Sequence, residues 1–111
     1  MTLPVPYDPD RVFLEIESAA EIMTDTQAVA DQLSELKKSR LAALTLDQMK
    51  TCKSRAEAEV RALANPDYEE YVVGMIEAGR IANRAKARYF NLMGLRDDRR
   101  TQEVSHRTLT R

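Results

Sequence analysis

The chain has 111 residues, which is the length of one ordinary domain. Hydrophobic residues make up 43% and charged residues 32% of it, with only three glycines and four prolines, so it is neither disordered, collagen-like nor a disulfide scaffold. No apolar run reaches the roughly 18 residues of a membrane span, and the first residues lack the pattern of a signal peptide. With a single cysteine, the chain suits a reducing compartment, and we expect a cytoplasmic protein without a membrane partner.

Three of the four prolines lie in residues 1–10, which are predicted to form an extended arm. Asp10 occupies the position of a helix N-cap at the end of this arm. From Val12 to about Leu44, apolar residues recur in alternating steps of three and four, which is typical of a helix in a bundle or an imperfect coiled coil. The sequence therefore predicts a long first helix.

Thr45 and Gln48 match the capping-box pattern and predict that a second helix begins there. Its expected buried stripe consists of Leu46, Met49, Cys52, Ala56, Val60 and Leu63. The run Asn65-Pro66-Asp67 combines a good cap, a proline suited to the first helical position and an acid near the positive end of the helix dipole. A third helix is therefore predicted to begin at Pro66.

The third helix has an apolar stripe with helical spacing, made of Tyr71, Met75, Ala78, Ala82, Ala85, Tyr89 and Leu92. Small residues on it would let another helix approach closely. We predict helix packing or oligomer contacts at Gly74, Ala78, Ala82, Ala85 and Tyr89.

The expected fold is all-α, an elongated hairpin or three-helix unit with a long C-terminal helix, and it is expected to form homo-oligomers. Residues 11–94 form the helical domain and 95–111 a basic extension, with Gly94 at a kink or at the end of the helix.

Charge is distributed unevenly along the chain. Residues 1–79 contain 8 basic and 15 acidic side chains, whereas residues 80–111 contain 9 basic and 3 acidic ones. Eight of those nine are arginines, whose planar guanidinium suits phosphates and carboxylates. The expected partner is a polyanion, an acidic protein surface or the acidic part of a second copy.

Arg80, Arg84 and Arg88 follow one another at one-turn intervals, about 6 Å apart along the helix axis. Such a row can follow a nucleic-acid backbone without recognising its sequence, and Phe90 can stack on a base. The alternative is a solvated face, or ion pairs with Glu70, Glu77 and the acidic first helix. The predicted nucleic-acid-binding residues are Arg80, Arg84, Lys86, Arg88, Phe90, Arg96, Arg99 and Arg100.

No constellation for catalysis or metal binding emerges from the sequence. Cys52 and His106 are the only cysteine and the only histidine, so a zinc site or a Cys-His nucleophile within one chain is not expected. Glycine-rich phosphate loops and known hydrolase motifs are also absent from the sequence. We therefore expect a protein that is not an enzyme and that holds no metal or cofactor.

The segment from Tyr68 to Arg107 resembles the C-terminal half of small helical phage proteins from recombination modules. The matching positions are Glu77, Ala78, Ala82, Asn83, Ala85, Lys86 and Tyr89, followed by Arg99, Arg100, Thr101 and Glu103. The run Ala85-Lys86-Ala87-Arg88 resembles UvsY-type recombination mediators. The resemblance covers about a third of the chain. It implies an all-helical oligomeric accessory factor in the cytoplasm of a phage host, with single-stranded DNA and a phage or host recombination protein as partners.

Two classes of function follow from these expectations. The leading hypothesis is an accessory protein that binds single-stranded DNA, a recombination protein, or both. The alternative is a protein inhibitor or structural assembly subunit that docks through its basic C-terminal end without nucleic acid.

Overall fold

The computed structural model describes the backbone of residues 8–110 and the side chains of residues 8–105. Within this part of the chain there are three helices and no strand: α1 at Pro9–Met49, α2 at Arg55–Leu63 and α3 at Pro66–Thr110. The prediction of an all-α fold with a long C-terminal helix is confirmed. Most of the predicted arm, residues 1–7, lies outside the described residues, as do Arg111 and the side chain of His106. None of the described helices combines the length and the apolar content that crossing a membrane requires.

The N-cap of helix α1 lies two residues before the predicted cap Asp10. The Asp8 carboxylate accepts hydrogen bonds from the backbone N–H groups of Asp10 and Arg11, at 3.0 and 3.4 Å, and the Asp8 carbonyl accepts from Val12 N at 3.0 Å. Pro9 then occupies the first helical position, where its missing N–H costs nothing. The assignment of Asp10 as N-cap is therefore wrong, because Asp8 already satisfies the first free N–H groups.

Helix α1 also passes through Thr45 without a break, so the second helix does not begin there. The buried Thr45 hydroxyl donates to the Leu41 carbonyl one turn earlier, at 2.8 Å. A threonine bonded in this way needs no helix end to satisfy its side chain. The true cap of α2 is Ser54, whose Oγ accepts from Glu57 N at 3.2 Å. The same Ser-x-x-Glu spacing was present in the sequence nine residues further on.

Helix α3 begins at Pro66 as predicted. The Asn65 side chain accepts from Asp67 N at 2.8 Å, which makes it the N-cap. The helix then continues through Gly94, where the backbone does not take a positive φ. Gly94 therefore marks no helix end, and the basic residues beyond it are helical as far as Thr110.

The contacts divide the chain into two units. Unit 2 spans Thr26–Ala82 and contains the second part of α1, all of α2 and the start of α3. Ala58 and Ala62 of α2 are fully buried in it, whereas Leu46, Val60 and Leu63, predicted to be buried, are 66%, 66% and 54% exposed. The predicted buried stripe is wrong because Leu46 belongs to α1. The non-helical turn before Ser54 also changes the rotation of α2 about its axis relative to a continuous helix.

Unit 1 combines the described residues up to Asp25 with those from Asn83 onward. Val12, Ile16 and Ala19 are its buried apolar residues on α1. The predicted stripe of α3 supplies the other side, with Ala85, Tyr89 and Leu92 half-buried. One turn beyond Leu92 the inward position is taken by Arg96, which is also half-buried. The apolar layer of unit 1 therefore ends at an arginine.

Candidate nucleic-acid interface

Seven of the eight predicted nucleic-acid-binding side chains, six basic ones and the aromatic Phe90, lie on the part of α3 that belongs to unit 1. All but Arg96 are exposed; the set is Arg84, Lys86, Arg88, Phe90, Arg96, Arg99 and Arg100. They are held on a continuous helix, which fixes their direction and spacing. The remaining candidate, Arg80, belongs to unit 2.

Arg84, Arg88 and Arg99 lie on one face of α3 and are called the arginine row below. At about 100° per residue, they fall within roughly 60° of the helix circumference. Leu95, which is exposed, lies on the same face between Arg88 and Arg99. The helix thus presents three guanidinium groups in one direction.

Lys86 and Phe90 do not share the face of the arginine row. Their positions in α3 are roughly 150° or more away from its centre. The Phe90 ring packs edge-on against Tyr89, with 5.4 Å between the ring centroids. Phe90 therefore lies on a different face of α3 from Arg84 and Arg88.

The carboxylates of α1 in unit 1 are not used to neutralise Arg84 or Arg88. Asp10, Glu17, Glu21 and Asp25 of α1 are exposed, but neither Arg84 nor Arg88 has an ion pair within the described residues. Among the described side chains of unit 1, Arg11 pairs with Glu15 at 3.3 Å and Arg96 with Asp97 at 3.5 Å, and both pairs are local. Acidic and basic side chains therefore both face solvent in the same unit.

Arg80, predicted as the first member of the row, is instead paired. Its Nη2 lies 2.8 Å from the Glu77 carboxylate, one turn earlier on α3. The hydrogen bond and the charge of Glu77 raise the pKa of Arg80. This ion pair is the alternative that the sequence left open for Arg80, so the arginine row is defined from Arg84 onward.

The small residues of α3 serve packing within the chain at several positions. Ala82 is buried, and Ala78, Ala85 and Tyr89 are half-buried. Gly74 is exposed, and a Cβ added to it would meet nothing within 4 Å. Close approach of another helix of this chain does not require Gly74, and oligomer contacts at these residues stay a prediction.

Unit 2 contains an apolar groove that was not predicted from the sequence. It has a volume of about 630 Å³ and is lined by Leu41, Ala42, Thr45, Leu46, Met49 and Leu63, with Lys38, Arg55 and Glu59 at its polar edge. The sequence offered no signal for it, because the same leucines and methionine fit a buried stripe equally well.

Cys52 is a half-buried free thiol, and the described residues contain no group of three potential metal ligands.

No protein-family model, curated protein or solved structure matches this chain. The resemblance to phage recombination proteins therefore stays a prediction based on the residues quoted for it.

Proposed function

We propose that this protein is a non-catalytic accessory protein that binds single-stranded DNA along the arginine row of α3. The observation that carries the proposal is that Arg84 and Arg88 are exposed and form no ion pair with the described side chains of residues 8–105, although four exposed carboxylates lie on α1 in the same unit. Guanidinium groups held apart from carboxylates of their own chain are available to phosphates.

The mechanism is electrostatic and involves no covalent step. Each arginine that contacts a phosphate releases condensed counterions, so affinity falls as salt rises, with a slope of roughly 0.7 per contacted phosphate for a single strand. Arg84 and Arg88 are about 6 Å apart along the axis, which lets one strand contact both. The resemblance to recombination mediators supports the choice of single-stranded DNA and adds a recombination protein as a second proposed partner.

A salt series tests this proposal. Binding to a fluorescein-labelled oligothymidylate is measured by anisotropy for the wild type, for Arg84→Glu/Arg88→Glu and for the control Arg40→Glu/Lys53→Glu. The control changes the charge equally at two exposed basic residues of unit 2 that have no ion pair in the described part of the chain. We expect the row variant to lose at least tenfold in affinity and the salt slope to fall by about 1.4, with the control much closer to the wild type.

Absence of binding at low salt would overturn the proposal. An affinity that does not depend on salt, or equal losses in the row variant and the control, would do the same, because neither fits phosphate contacts at these two arginines.

A structural assembly subunit is the second candidate function, favoured by the acidic face of α1. Asp10, Glu17, Glu21 and Asp25 fall within about 80° of the α1 circumference and are exposed. A second copy of the chain would bring this face against the arginine row of its neighbour. Sedimentation mass that falls with rising salt, together with no oligonucleotide binding, would favour assembly over DNA binding.

A further inference from the structure

The start of α1 and the last turns of α3 enclose a small cleft within unit 1. Its volume is about 280 Å³, and it is lined by Pro9, Phe13, Arg96, Arg100 and Glu103. This volume lies just below the roughly 300–1,000 Å³ of typical ligand pockets, so the cleft admits a ligand no larger than about one nucleotide. Among the described residues of its wall, two guanidinium groups and one carboxylate give a net positive charge.

Arg96 is the half-buried charge of this wall, and one of its donors lacks a hydrogen-bond partner. It is half-buried, its Nε atom is buried without a hydrogen-bond partner, and its Nη2 is 3.5 Å from the Asp97 carboxylate. Arg100 is exposed and Glu103 lines the same cleft, yet neither forms an ion pair within the described residues. Burial has removed part of the water around this guanidinium, and the carboxylate paired with it among the described residues is 3.5 Å away. An external anion that accepts hydrogen bonds from its remaining N–H groups would therefore be bound favourably.

Phe13 adds an aromatic surface to the same cleft. Its side chain is 61% exposed. A phenyl ring forms no hydrogen bond with water that would compensate for this exposure. Nucleic-acid bases stack on such rings in single-strand binding proteins, and the guanidinium groups of the same sites hold the backbone. Phe13 was not among the predicted binding residues, because nothing in the sequence places it beside Arg96 and Arg100.

We propose that this cleft binds one nucleotide of a single strand, with its phosphate at Arg96 and Arg100 and its base against Phe13. The proposal rests on the proposed function and deepens it. The arginine row attracts any phosphate backbone, whereas the cleft recognises the combination of phosphate and base.

The test uses thymidine 5′-monophosphate as probe and the amide resonances of the full chain as readout. We expect saturable shifts at Phe13, Arg96 and Arg100. Phe13→Ala should weaken the mononucleotide by roughly tenfold, since base stacking is lost, and leave inorganic phosphate unchanged. Arg100→Gln should weaken both ligands.

Two matched controls accompany these variants. Leu14→Ala truncates the neighbouring residue, which is 63% exposed and does not line the cleft. Arg40→Gln removes an exposed arginine of unit 2. Both controls should bind the mononucleotide as the wild type does. Thermal unfolding of each variant verifies that it is folded at the temperature of the titration.

Three results would overturn the proposal. The first is equal affinity of Phe13→Ala and Leu14→Ala for the mononucleotide. The second is an affinity of the wild type for the mononucleotide that is no higher than its affinity for inorganic phosphate. The third is tighter binding of N-acetylglutamate than of the mononucleotide, which would indicate that the cleft binds a carboxylate of a partner protein.

The outcome is separable from that of the proposed function. If oligothymidylate binding depends on Arg84 and Arg88 but not on Phe13 or Arg100, the arginine row binds DNA and the cleft proposal alone fails. If the mononucleotide binds in the cleft while the oligothymidylate does not bind, the proposed function fails and the cleft remains a nucleotide site.

Discussion

The Tyr71 hydroxyl of α3 donates a hydrogen bond to the backbone carbonyl of Leu33 on α1, 38 residues earlier in the chain. Both residues belong to unit 2 and are half-buried. The bond therefore joins α1 and α3 directly within this unit. The Tyr71 ring lies on the inward stripe of α3, and this bond gives its hydroxyl a hydrogen-bond partner away from water.

Tyr71→Phe removes this bond and keeps the ring. We expect the free energy of unfolding to fall by about 1 kcal/mol, because the Leu33 carbonyl retains its helical environment and only the tertiary bond is lost. Urea unfolding followed by circular dichroism measures the change. Tyr68→Phe is the control, since the half-buried Tyr68 has no side-chain hydrogen bond in the described structure. Equal changes in the two variants would contradict a specific role for the Tyr71 bond.

Ala62 and Ala56 of α2 test which face of this helix is buried. Ala62 is fully buried, whereas Ala56 is exposed. Ala62→Leu should destabilise the protein by about 1–3 kcal/mol through overpacking. Ala56→Leu should change stability by less than about 0.5 kcal/mol. Thermal unfolding compares them, and the reverse order would restore the buried stripe that the sequence predicted through Ala56.

Ser54 and Thr45 distinguish the observed start of α2 from the predicted one. Ser54→Ala removes the side chain that caps the helix and should cost about 1 kcal/mol. Thr45→Val keeps the buried shape and removes only a hydroxyl bonded to the Leu41 carbonyl, so a change below about 0.5 kcal/mol is expected. Chemical denaturation midpoints provide the measurement. A larger loss for Thr45→Val than for Ser54→Ala would argue that Thr45 begins a helix.

Gly74 and Gly94 lie inside α3, where alanine is the better helix former. A Cβ at either position meets nothing within 4 Å in this chain. Gly94→Ala and Gly74→Ala should each raise the free energy of unfolding by about 0.5–1 kcal/mol. Melting temperatures are measured at several protein concentrations. A loss confined to Gly74→Ala, with a concentration-dependent melting temperature, would instead support the predicted oligomer contact at Gly74.

The start of α3 shows why some elements were predictable. Its cap, its first proline and its first acidic residue lie within three consecutive positions, and each acts through the nearest backbone groups. The inward stripe that follows repeats with the period of the helix, so the buried or half-buried positions from Tyr71 to Leu92 could be assigned without knowing their partners. The start of α2 was missed because Thr45 and Ser54 carry the same local pattern. Only burial against the rest of unit 2 separates them.

The amino-acid sequence alone determined that this chain is helical, where α3 begins and that its basic charge is concentrated near the C-terminal end. These properties depend on interactions within about four residues along the chain or on simple composition. The tertiary structure decided that Ala58 and Ala62 are buried in preference to Val60, and that Phe13 lies in one cleft with Arg96 and Arg100. Those outcomes depend on which side of a helix another helix covers, and residues distant in sequence make that choice.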